Sequence, residues 1–239
     1  MGDQMIFKRY EIKYMLNEQQ LSIIKEAMKK HMEADIHGKN TICSLYFDTP
    51  DFLLIRRSLE HPVYKEKLRL RSYGTAQPDS TVFIELKKKY DSVVYKRRVA
   101  MTEQDAEKYL LLHQKVMDTQ ITWEIDYCMD FYDNLSPAVM LSYQREAFYG
   151  KNDPEFRVTF DEKILWRDDD LSLCSGIYGN PILPPGKTLM EVKTSGAIPL
   201  WFTEVLTQNH IYKTSFSKYG TAYRTILENK RNGGIYHYA

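Results

Sequence analysis

The sequence predicts an α+β protein in which an antiparallel β-barrel is flanked by peripheral helices. Most of the chain divides into short segments that alternate polar and apolar residues, and only a few segments carry apolar residues at helical spacing. Turn residues such as Pro78-Asp79 and Pro154 separate some of the strand segments. Many closely spaced strands with few helices favour antiparallel pairing over a parallel α/β sheet.

The predicted strands are the segments with alternating or short apolar patterns. They are Ile6–Met15, Asn40–Phe47, Val63–Tyr73, Thr81–Lys89, Val93–Met101, Trp123–Asp133, Val139–Tyr149, Phe156–Phe160 and Thr188–Thr194.

A first helix is predicted from Glu18 to about Met32, because Asn17 and Gln20 match a capping box and apolar residues follow at helical spacing. The other helices are predicted where a capping residue or a first-turn proline precedes such a pattern. They run from Thr102 to about His113, from Leu200 to Gln208 and from Ser217 to about Asn229, with a short helical turn near Phe52–Ser58.

Length and charge limit the classes of protein that the chain can belong to. A length of 239 residues suits one barrel domain, so we expect residues 1–239 to form a single domain. The formal net charge is only +1, from 33 basic and 32 acidic residues. A general nucleic-acid binder is usually more basic, so no nucleic-acid partner is expected, and any anion site must come from a local arrangement of charge.

The cysteines and the termini indicate a cytoplasmic protein. Cys43, Cys128 and Cys174 are odd in number and fit no zinc spacing, which favours reduced thiols. The segment Met1–Lys13 is charged and lacks a hydrophobic stretch, so no signal peptide is expected. No apolar run approaches the roughly 20 residues that cross a bilayer.

One strand segment concentrates positive charge on a single face. Side chains alternate along a strand, so Lys65, Lys67, Arg69 and Arg71 share one face, spread over about 20 Å. Such a row repels itself unless an anion lies against it. An exposed edge strand guarded by lysines is the alternative interpretation of this segment taken alone.

The same pattern recurs in other strands, which favours the anion site. The further charged sets are Glu85 with Lys87 and Lys89, Lys96 with Arg98, Tyr143 with Arg145, Arg157 with Thr159 and Asp161, Glu191 with Lys193, and Arg9 with Glu11 and Lys13. If the apolar faces pack on the helices, the charged faces line the lumen, which then needs water or an anion. The carboxylates Glu11, Glu85 and Glu191 are candidate ligands for a divalent cation, and together these features predict a metal–triphosphate site.

The ordered set of motifs resembles a known family over roughly residues 6–228. The motifs are Arg9-x-Glu11-x-Lys13-Tyr14, Ser44-Leu45-Tyr46-Phe47-Asp48-Thr49, Lys67-Leu68-Arg69-Leu70-Arg71-Ser72-Tyr73, Glu85-Leu86-Lys87, Tyr143-x-Arg145, Arg157-x-Thr159-x-Asp161, Glu191-Val192-Lys193 and Ser215-Phe216-Ser217-Lys218-Tyr219. Together they resemble the VTC domain, the polyphosphate polymerase module of the vacuolar transporter chaperone complex and its bacterial relatives. That domain belongs to the triphosphate tunnel metalloenzymes, which are related to the CYTH proteins.

The resemblance implies an eight-stranded antiparallel tunnel that transfers the γ-phosphate of ATP to a growing polyphosphate chain with Mn²⁺ or Mg²⁺. Glu191 is then expected to hold the metal. The residues expected to act on the reacting phosphate are Lys87, Arg145, Lys193 and Lys218. The residues expected to bind the substrate, including Lys67 and Arg98 from the charged faces, are Lys13, Lys67, Arg69, Arg71, Lys96, Arg98 and Arg157. Replacing Arg157 or Glu191 by alanine is expected to abolish turnover and leave the fold intact.

One position departs from the wider CYTH pattern. That pattern begins Glu-x-Glu-x-Lys, and here Arg9 stands at the first glutamate, before Glu11 and Lys13. An arginine there favours phosphate binding over water activation, which agrees with the VTC branch and leaves a second metal without one of its ligands. A triphosphatase or nucleotide cyclase of the same superfamily, and a non-catalytic polyphosphate sensor or scaffold, remain alternatives. ATP and inorganic polyphosphate are the expected partners, and any coupling to a membrane would need a separate membrane partner.

Overall fold

The computed structural model describes residues 10–60, 62–91, 93–231 and 233. The predicted strand residues Ile6–Arg9, including Arg9 itself, lie outside this range. The elements in chain order are β1 (Tyr10–Leu16), α1 (Glu18–Met28), β2 (Met32–Asp48), α2 (Leu53–Leu59), β3 (Tyr64–Tyr73), β4 (Thr81–Tyr90), β5 (Val93–Thr102), α3 (Glu103–Leu112), α4 (Gln120–Tyr132), β6 (Ser136–Gly150), β7 (Arg157–Arg167), β8 (Asn180–Pro181), β9 (Thr188–Thr194), α5 (Leu200–Gln208), β10 (Lys213–Thr214) and α6 (Lys218–Arg231).

The strands form one sheet of ten strands, which confirms the α+β class with an antiparallel sheet and peripheral helices. The hydrogen-bonded order is β10-β1-β9-β7-β6-β2-β3-β4-β5, and β8 pairs with β7. The pairs β1–β10, β1–β9, β2–β3, β3–β4, β4–β5 and β7–β9 are antiparallel. Strands β8 and β10 have only two residues each, whereas every other strand has at least 7. Within the described residues the order has two ends, so a closed eight-stranded barrel stays a prediction.

The chain divides into two compact units that are interleaved along the sequence. The first unit comprises the described parts of Met1–Thr41, Tyr143–Ile164 and Pro181–Ser217. The second comprises the described parts of Ile42–Ser142, Leu165–Asn180 and Lys218–Ala239. The single domain expected over residues 1–239 stays a prediction.

In the first unit, α1 and α5 cover the apolar side of β1, β7 and β9. Tyr14, Phe160 and Val192 from the strands form a buried cluster with Ile24 of α1 and Phe202 of α5. Because side chains alternate along each strand, the neighbouring polar residues lie on the opposite side. That side carries Glu11, Lys13, Thr159, Asp161, Glu191 and Lys193.

In the second unit, α3 and α4 cover the apolar side of β2 to β5. Leu68 and Ile84 from the sheet are buried against Tyr109 of α3 and Ile125 of α4. The basic residues of β3, β4 and β5 that alternate with this apolar set lie on the opposite side. The predicted separation of helix-covered apolar faces from charged faces is therefore confirmed in each unit.

One predicted strand is wrong. The segment Trp123–Asp133 was expected to be extended, but α4 (Gln120–Tyr132) occupies it. The side chain of Thr119 accepts from the backbone N–H of Thr122 in a capping box, and the helix buries Ile125, Cys128 and Met129 at helical spacing. Trp, Tyr and Phe suit strands as well, so their presence in this segment misled the prediction.

Other boundaries shift without changing the type of element. Helix α1 ends at Met28, before its predicted end at about Met32, and residues 29–31 form a turn. Strand β2 then begins at Met32 rather than Asn40. Strand β7 continues to Arg167, beyond the predicted end at Phe160.

Candidate active site

The register of β3, β4 and β5 brings the predicted basic residues of the second unit together. Lys67 pairs with Lys87, which pairs with Lys96 on the other side, and the next row pairs Arg69 with Glu85 and Arg98. These three strands contain two carboxylates, and the second, Glu66, contacts Cys128 of α4 on the helix-covered face. Positive charge therefore strongly exceeds negative charge on the face of β3, β4 and β5 that α3 and α4 do not cover.

Glu85 holds the basic side chains in place, and we call it and its cations the Glu85 cluster. Its carboxylate is 1% exposed and lies 2.6 Å from both Arg69 Nη2 and Lys96 Nζ. Arg98 Nε and Arg71 Nη1 follow at 3.6 and 3.8 Å. Burial alone would raise the pKa of Glu85, but the charges of Arg69, Arg71 and Lys96 outweigh it and lower the pKa to about 2. Glu85 is thus an ionised counter-ion at neutral pH.

Tyr46 extends the Glu85 cluster. Arg69 Nη1 donates a hydrogen bond of 2.9 Å to the Tyr46 hydroxyl. Burial alone would raise the pKa of Tyr46, but the charges of Arg69, Lys67 and Arg71 lower it to about 8. The Tyr46 ring stacks on Tyr219 of α6, with 4.7 Å between the ring centroids. The pKa of this phenol therefore lies closer to neutral pH than that of an ordinary tyrosine.

The first unit contains a separate group of charges, which we call the Arg145 cluster: Glu11, Lys13, Arg145, Asp161 and Glu191. Arg145 donates from Nε and Nη2 to the two oxygens of Asp161 at 2.6 and 2.7 Å, and from Nη2 to Glu191 at 3.2 Å. Burial alone would lower the pKa of Arg145, but Tyr143, Asp161 and Glu191 raise it. This bidentate pairing orients the guanidinium.

Lys13 joins the same cluster from β1. Its ammonium donates to the carbonyl of Phe216 at 2.9 Å and lies 3.5 Å from Glu11 and 3.8 Å from Glu191. The register explains this arrangement, because Lys13 pairs with Glu191 across the β1–β9 ladder. Two carboxylates and a backbone carbonyl therefore surround one ammonium.

Strand β7 adds Arg157 and Thr159 beside β9. Arg157 pairs with Lys193 and Thr159 with Glu191. The Arg157 side chain is exposed and donates to the Pro154 carbonyl at 3.3 Å. The Thr159 hydroxyl is buried and has no hydrogen-bond partner among the residues that the structure describes.

The predicted site residues thus fall into two groups, and each group is assembled within one unit. The second unit contains Lys67, Arg69, Arg71, Lys87, Lys96 and Arg98, together with Lys218 as the first residue of α6. The first unit contains Lys13, Arg145, Arg157, Glu191 and Lys193. Tyr219 and Asp48 were assigned no role from the sequence, since no local periodicity indicates that they meet. Asp161 was noted as part of a charged face, but its pairing with Arg145 was not predicted.

The carboxylates do not form a compact metal centre by themselves. Within the described ranges, no group of three or more His, Cys, Asp or Glu residues is arranged to hold a metal ion. Mg²⁺ and Mn²⁺ accept oxygen ligands, and Mg²⁺ is commonly held by one or two carboxylates plus substrate phosphates. Glu191, with Glu11 near the same lysine, fits that type of donor set.

Comparison with protein families identifies the class to which this fold and these basic clusters belong. The model of the VTC domain matches residues 8–227. The chain therefore belongs to the VTC domain family, as its motifs predicted.

Individual relatives are distant. Vacuolar transporter chaperone complex subunit 4 of Trypanosoma cruzi is 24% identical over 269 residues, which cover 90% of this chain and 33% of that protein. The chain thus spans about a third of the length of this relative.

Solved structures resemble the fold at low sequence identity. A candidate adenylate cyclase from Bacillus halodurans superposes with a TM-score of 0.54 at 16% identity, covering 91% of this chain and 96% of that chain. A candidate adenylyl cyclase from Hippeastrum, described as having a dominant triphosphatase activity, superposes with a TM-score of 0.49 at 15% identity, covering 95% and 96%. None of the helices in the described part of the chain combines the length and apolar character needed to cross a bilayer.

Proposed function

We propose that this protein is a polyphosphate polymerase that transfers the γ-phosphate of ATP to the end of a growing polyphosphate chain. The observation that carries the proposal is the Glu85 cluster, where Arg69, Arg71, Lys96 and Arg98 surround one carboxylate and leave an excess of positive charge. A linear polyanion carries negative charges at regular spacing and can therefore neutralise several of these basic side chains at once. Membership of the VTC domain family and the relative's name as a vacuolar transporter chaperone subunit support the same substrate class.

The side chains of the Glu85 cluster and of the Arg145 cluster suit phosphoryl transfer. Phosphoryl transfer depends on positioning and on charge stabilisation more than on a protein nucleophile. Arg69 and Arg145 are both oriented by carboxylates, which hold the planar guanidinium groups in a fixed geometry that suits phosphate oxygens. Lys87, Lys193 and Lys218 stabilise the charge that develops on the transferred phosphate, and the terminal phosphate of the acceptor chain acts as nucleophile.

The remaining predicted residues bind the substrate chain. Lys13, Lys67 and Lys96 supply ammonium groups, and Arg71, Arg98 and Arg157 supply guanidinium groups. Arg157 is exposed, and its guanidinium donates to the loop carbonyl of Pro154 at 3.3 Å. We expect its guanidinium to turn toward a bound phosphate.

A divalent metal, Mn²⁺ or Mg²⁺, belongs to the proposal, with Glu191 as its protein ligand. Such an ion, held by Glu191, would supply positive charge that offsets the charge of the phosphates. The Glu191 carboxylate lies 3.2 Å from Arg145 and 3.8 Å from Lys13. These two cations orient the carboxylate.

The partners and location of the protein are part of the same proposal. ATP and inorganic polyphosphate are the expected ligands, in the cytoplasm, without a nucleic-acid partner. The relative's name places that protein in a chaperone complex, and by analogy a separate membrane protein is the proposed partner here.

The proposal is tested by incubating the purified protein with ATP and Mn²⁺ and separating the products on a gel that resolves polyphosphate lengths. A ladder is expected for the wild type and for Arg97→Ala, and not for Arg98→Ala or Glu191→Gln. Arg97 is the matched control, because it is adjacent to Arg98 but lies on the opposite face of β5, where it contacts Glu124 of α4.

Other outcomes of this assay would contradict the proposal that the protein is a polymerase. Release of phosphate without a ladder identifies a triphosphatase, and a cyclic nucleotide identifies a cyclase. Tight binding of polyphosphate without any turnover, with either metal, identifies a sensor or scaffold.

A further inference from the structure

Helix α4 presents a row of three aromatic side chains to solvent. Trp123, Tyr127 and Phe131 are spaced four residues apart and are 58%, 65% and 61% exposed. Four-residue spacing places them on one face of the helix, along about 12 Å of its axis. We call these three residues the α4 aromatic row.

Folding of the second unit does not require this row. The opposite face of α4 supplies the buried residues Ile125, Cys128 and Met129 to the core. The row's aromatic contacts in the described chain stay within α4, where Tyr127 and Phe131 stack with 6.1 Å between their centroids. Scattered exposed apolar residues are normal on a protein surface, but adjacent large aromatic rings are enriched at protein–protein interfaces.

The surroundings of the row are acidic. Between Val116 and Leu135 the sequence has five carboxylates, and no lysine or arginine. The indole N–H of Trp123 donates to Asp118 at 2.6 Å. Lys115 pairs with Asp118 and Arg97 pairs with Glu124, so the excess of negative charge comes from Asp126, Asp130 and Asp133, and the last two lie at the far end of the row. The chain as a whole has a net charge of only +1, so this is a local concentration of negative charge.

The exposed aromatic rings and the nearby carboxylates together restrict which kind of partner can bind to this surface. Anionic lipids and nucleic acids are repelled by the carboxylates. A second copy of the same row would bring like charges together, which disfavours self-association. A helix with apolar residues on one face and lysine or arginine beside them would cover the rings and pair with the aspartates.

We propose that the α4 aromatic row, with Asp130 and Asp133, is a docking surface for a basic amphipathic helix of another protein. The row anchors the apolar face of that helix, in the manner of helix-in-groove recognition, and the aspartates select its charge. The surface lies on the helix-covered side of the second unit, whereas the Glu85 cluster lies on the other side of the same sheet. Binding is therefore expected to be independent of the proposed catalytic residues.

The experiment uses two synthetic helical peptides of about 18 residues, a length at which designed helices form. Both carry leucine on one face; the remaining positions are lysine in one peptide and glutamate in the other. Affinity for the full chain is measured by isothermal titration calorimetry. The lysine peptide is expected to bind at least about tenfold more tightly than the glutamate peptide.

Three variants locate the binding. Combined Trp123→Ser, Tyr127→Ser and Phe131→Ser substitution is expected to weaken binding of the lysine peptide at least about tenfold. Combined Asp130→Lys and Asp133→Lys substitution is expected to reverse the preference between the peptides. Tyr212→Ser is the matched control, because Tyr212 is an aromatic residue 74% exposed in the first unit, and its loss is expected to change nothing.

The outcomes decide the proposal. Equal affinity for both peptides, or unchanged binding by the triple variant with retained thermal stability, overturns it. A dimer that forms with the wild type and is lost in the triple variant also overturns it, because the occupant is then a second copy.

Discussion

The ring of Tyr219 stacks on the ring of Tyr46, with 4.7 Å between their centroids, while the Tyr219 hydroxyl donates to Asp48 at 2.8 Å. Asp48 also accepts from the backbone N–H groups of Leu54 and Ile55 at the start of α2. One buried carboxylate therefore joins the start of α2 to α6, and through the stacked rings to Arg69 of the Glu85 cluster. Lys218, the residue before Tyr219, takes its position from this arrangement.

Replacing Tyr219 by phenylalanine is expected to lower the free energy of unfolding by about 1–2 kcal/mol, because buried Asp48 loses one hydrogen-bond donor. Urea denaturation measures the change. Tyr212→Phe is the control, since that side chain is 74% exposed, and no measurable change is expected. Equal stability of the two variants would show that the Tyr219–Asp48 bond contributes nothing.

The hydroxyl of Tyr46 is expected to titrate near pH 8, because Arg69, Lys67 and Arg71 lower its pKa to about that value against the effect of burial. The measurement is the phenolate absorbance of the wild type minus that of Tyr46→Phe, followed from pH 6 to pH 11. Bound tripolyphosphate is expected to move the midpoint upward, since its negative charge offsets the cations. A difference spectrum that stays flat below about pH 9.5, near the ordinary tyrosine pKa, would contradict the lowering of the Tyr46 pKa by these cations.

Glu85→Gln is expected to lower the free energy of unfolding at pH 7 by about 3 kcal/mol, because it removes the buried counter-ion that four clustered cations share. The folded-state pKa of Glu85 is about 2, below the usual value of 4.5, so its contribution is complete above about pH 4.5 and is lost as the pH falls toward 2. The variant should therefore lose less stability than the wild type on acidification through that window. Denaturation curves at pH 7, 4 and 3 measure both effects.

Glu124→Gln is the control for this experiment. Glu124 pairs with Arg97 on the other face of β5, where its side chain is 25% exposed, so a loss of about 0.5 kcal/mol is expected. Saturating tripolyphosphate should narrow the stability difference between Glu85→Gln and the wild type, and should leave the difference between Glu124→Gln and the wild type unchanged. A Glu85→Gln difference that tripolyphosphate does not change argues against anion binding at the Glu85 cluster.

Arg157→Ala is expected to separate activity from folding. The side chain is exposed, so the free energy of unfolding should change by about 0.5 kcal/mol or less. Loss of a guanidinium that binds the substrate phosphates should reduce the rate of polyphosphate synthesis by about 100-fold. The control is Arg224→Ala, which replaces an exposed arginine of α6 and should retain full activity. Full activity of Arg157→Ala would show that Arg157 is not part of the site.

Arg167→Lys is expected to destabilise the second unit by about 3 kcal/mol. The guanidinium is fully buried and donates to the carbonyls of Asp170, Ser172, Gly176 and Tyr178 at 3.1 to 3.2 Å. An ammonium cannot reach these acceptors together, so buried carbonyls lose their donors. Thermal unfolding and limited proteolysis of the segment after β7 measure the effect, and a melting temperature equal to that of the wild type contradicts it.

Much of the fold follows from local patterns. The alternation in Thr188–Thr194 and the first-turn proline before Leu200–Gln208 predict β9 and α5 with the bounds that the structure has. The same alternation puts Lys67, Arg69 and Arg71 on one face of β3. The error at α4 arose because Trp123, Tyr127 and Phe131 favour strands by propensity, whereas burial of the opposite face favours a helix.

The sequence by itself determined which faces are charged, which are apolar and to which family the chain belongs, because these depend on period-two alternation and on the order of short motifs. Only the tertiary structure decided which charges meet. Arg145 pairs with Asp161, and Tyr219 bonds with Asp48 across 171 residues of sequence. Strand register and helix packing set such pairs, and both are determined by contacts between distant segments that no local pattern encodes.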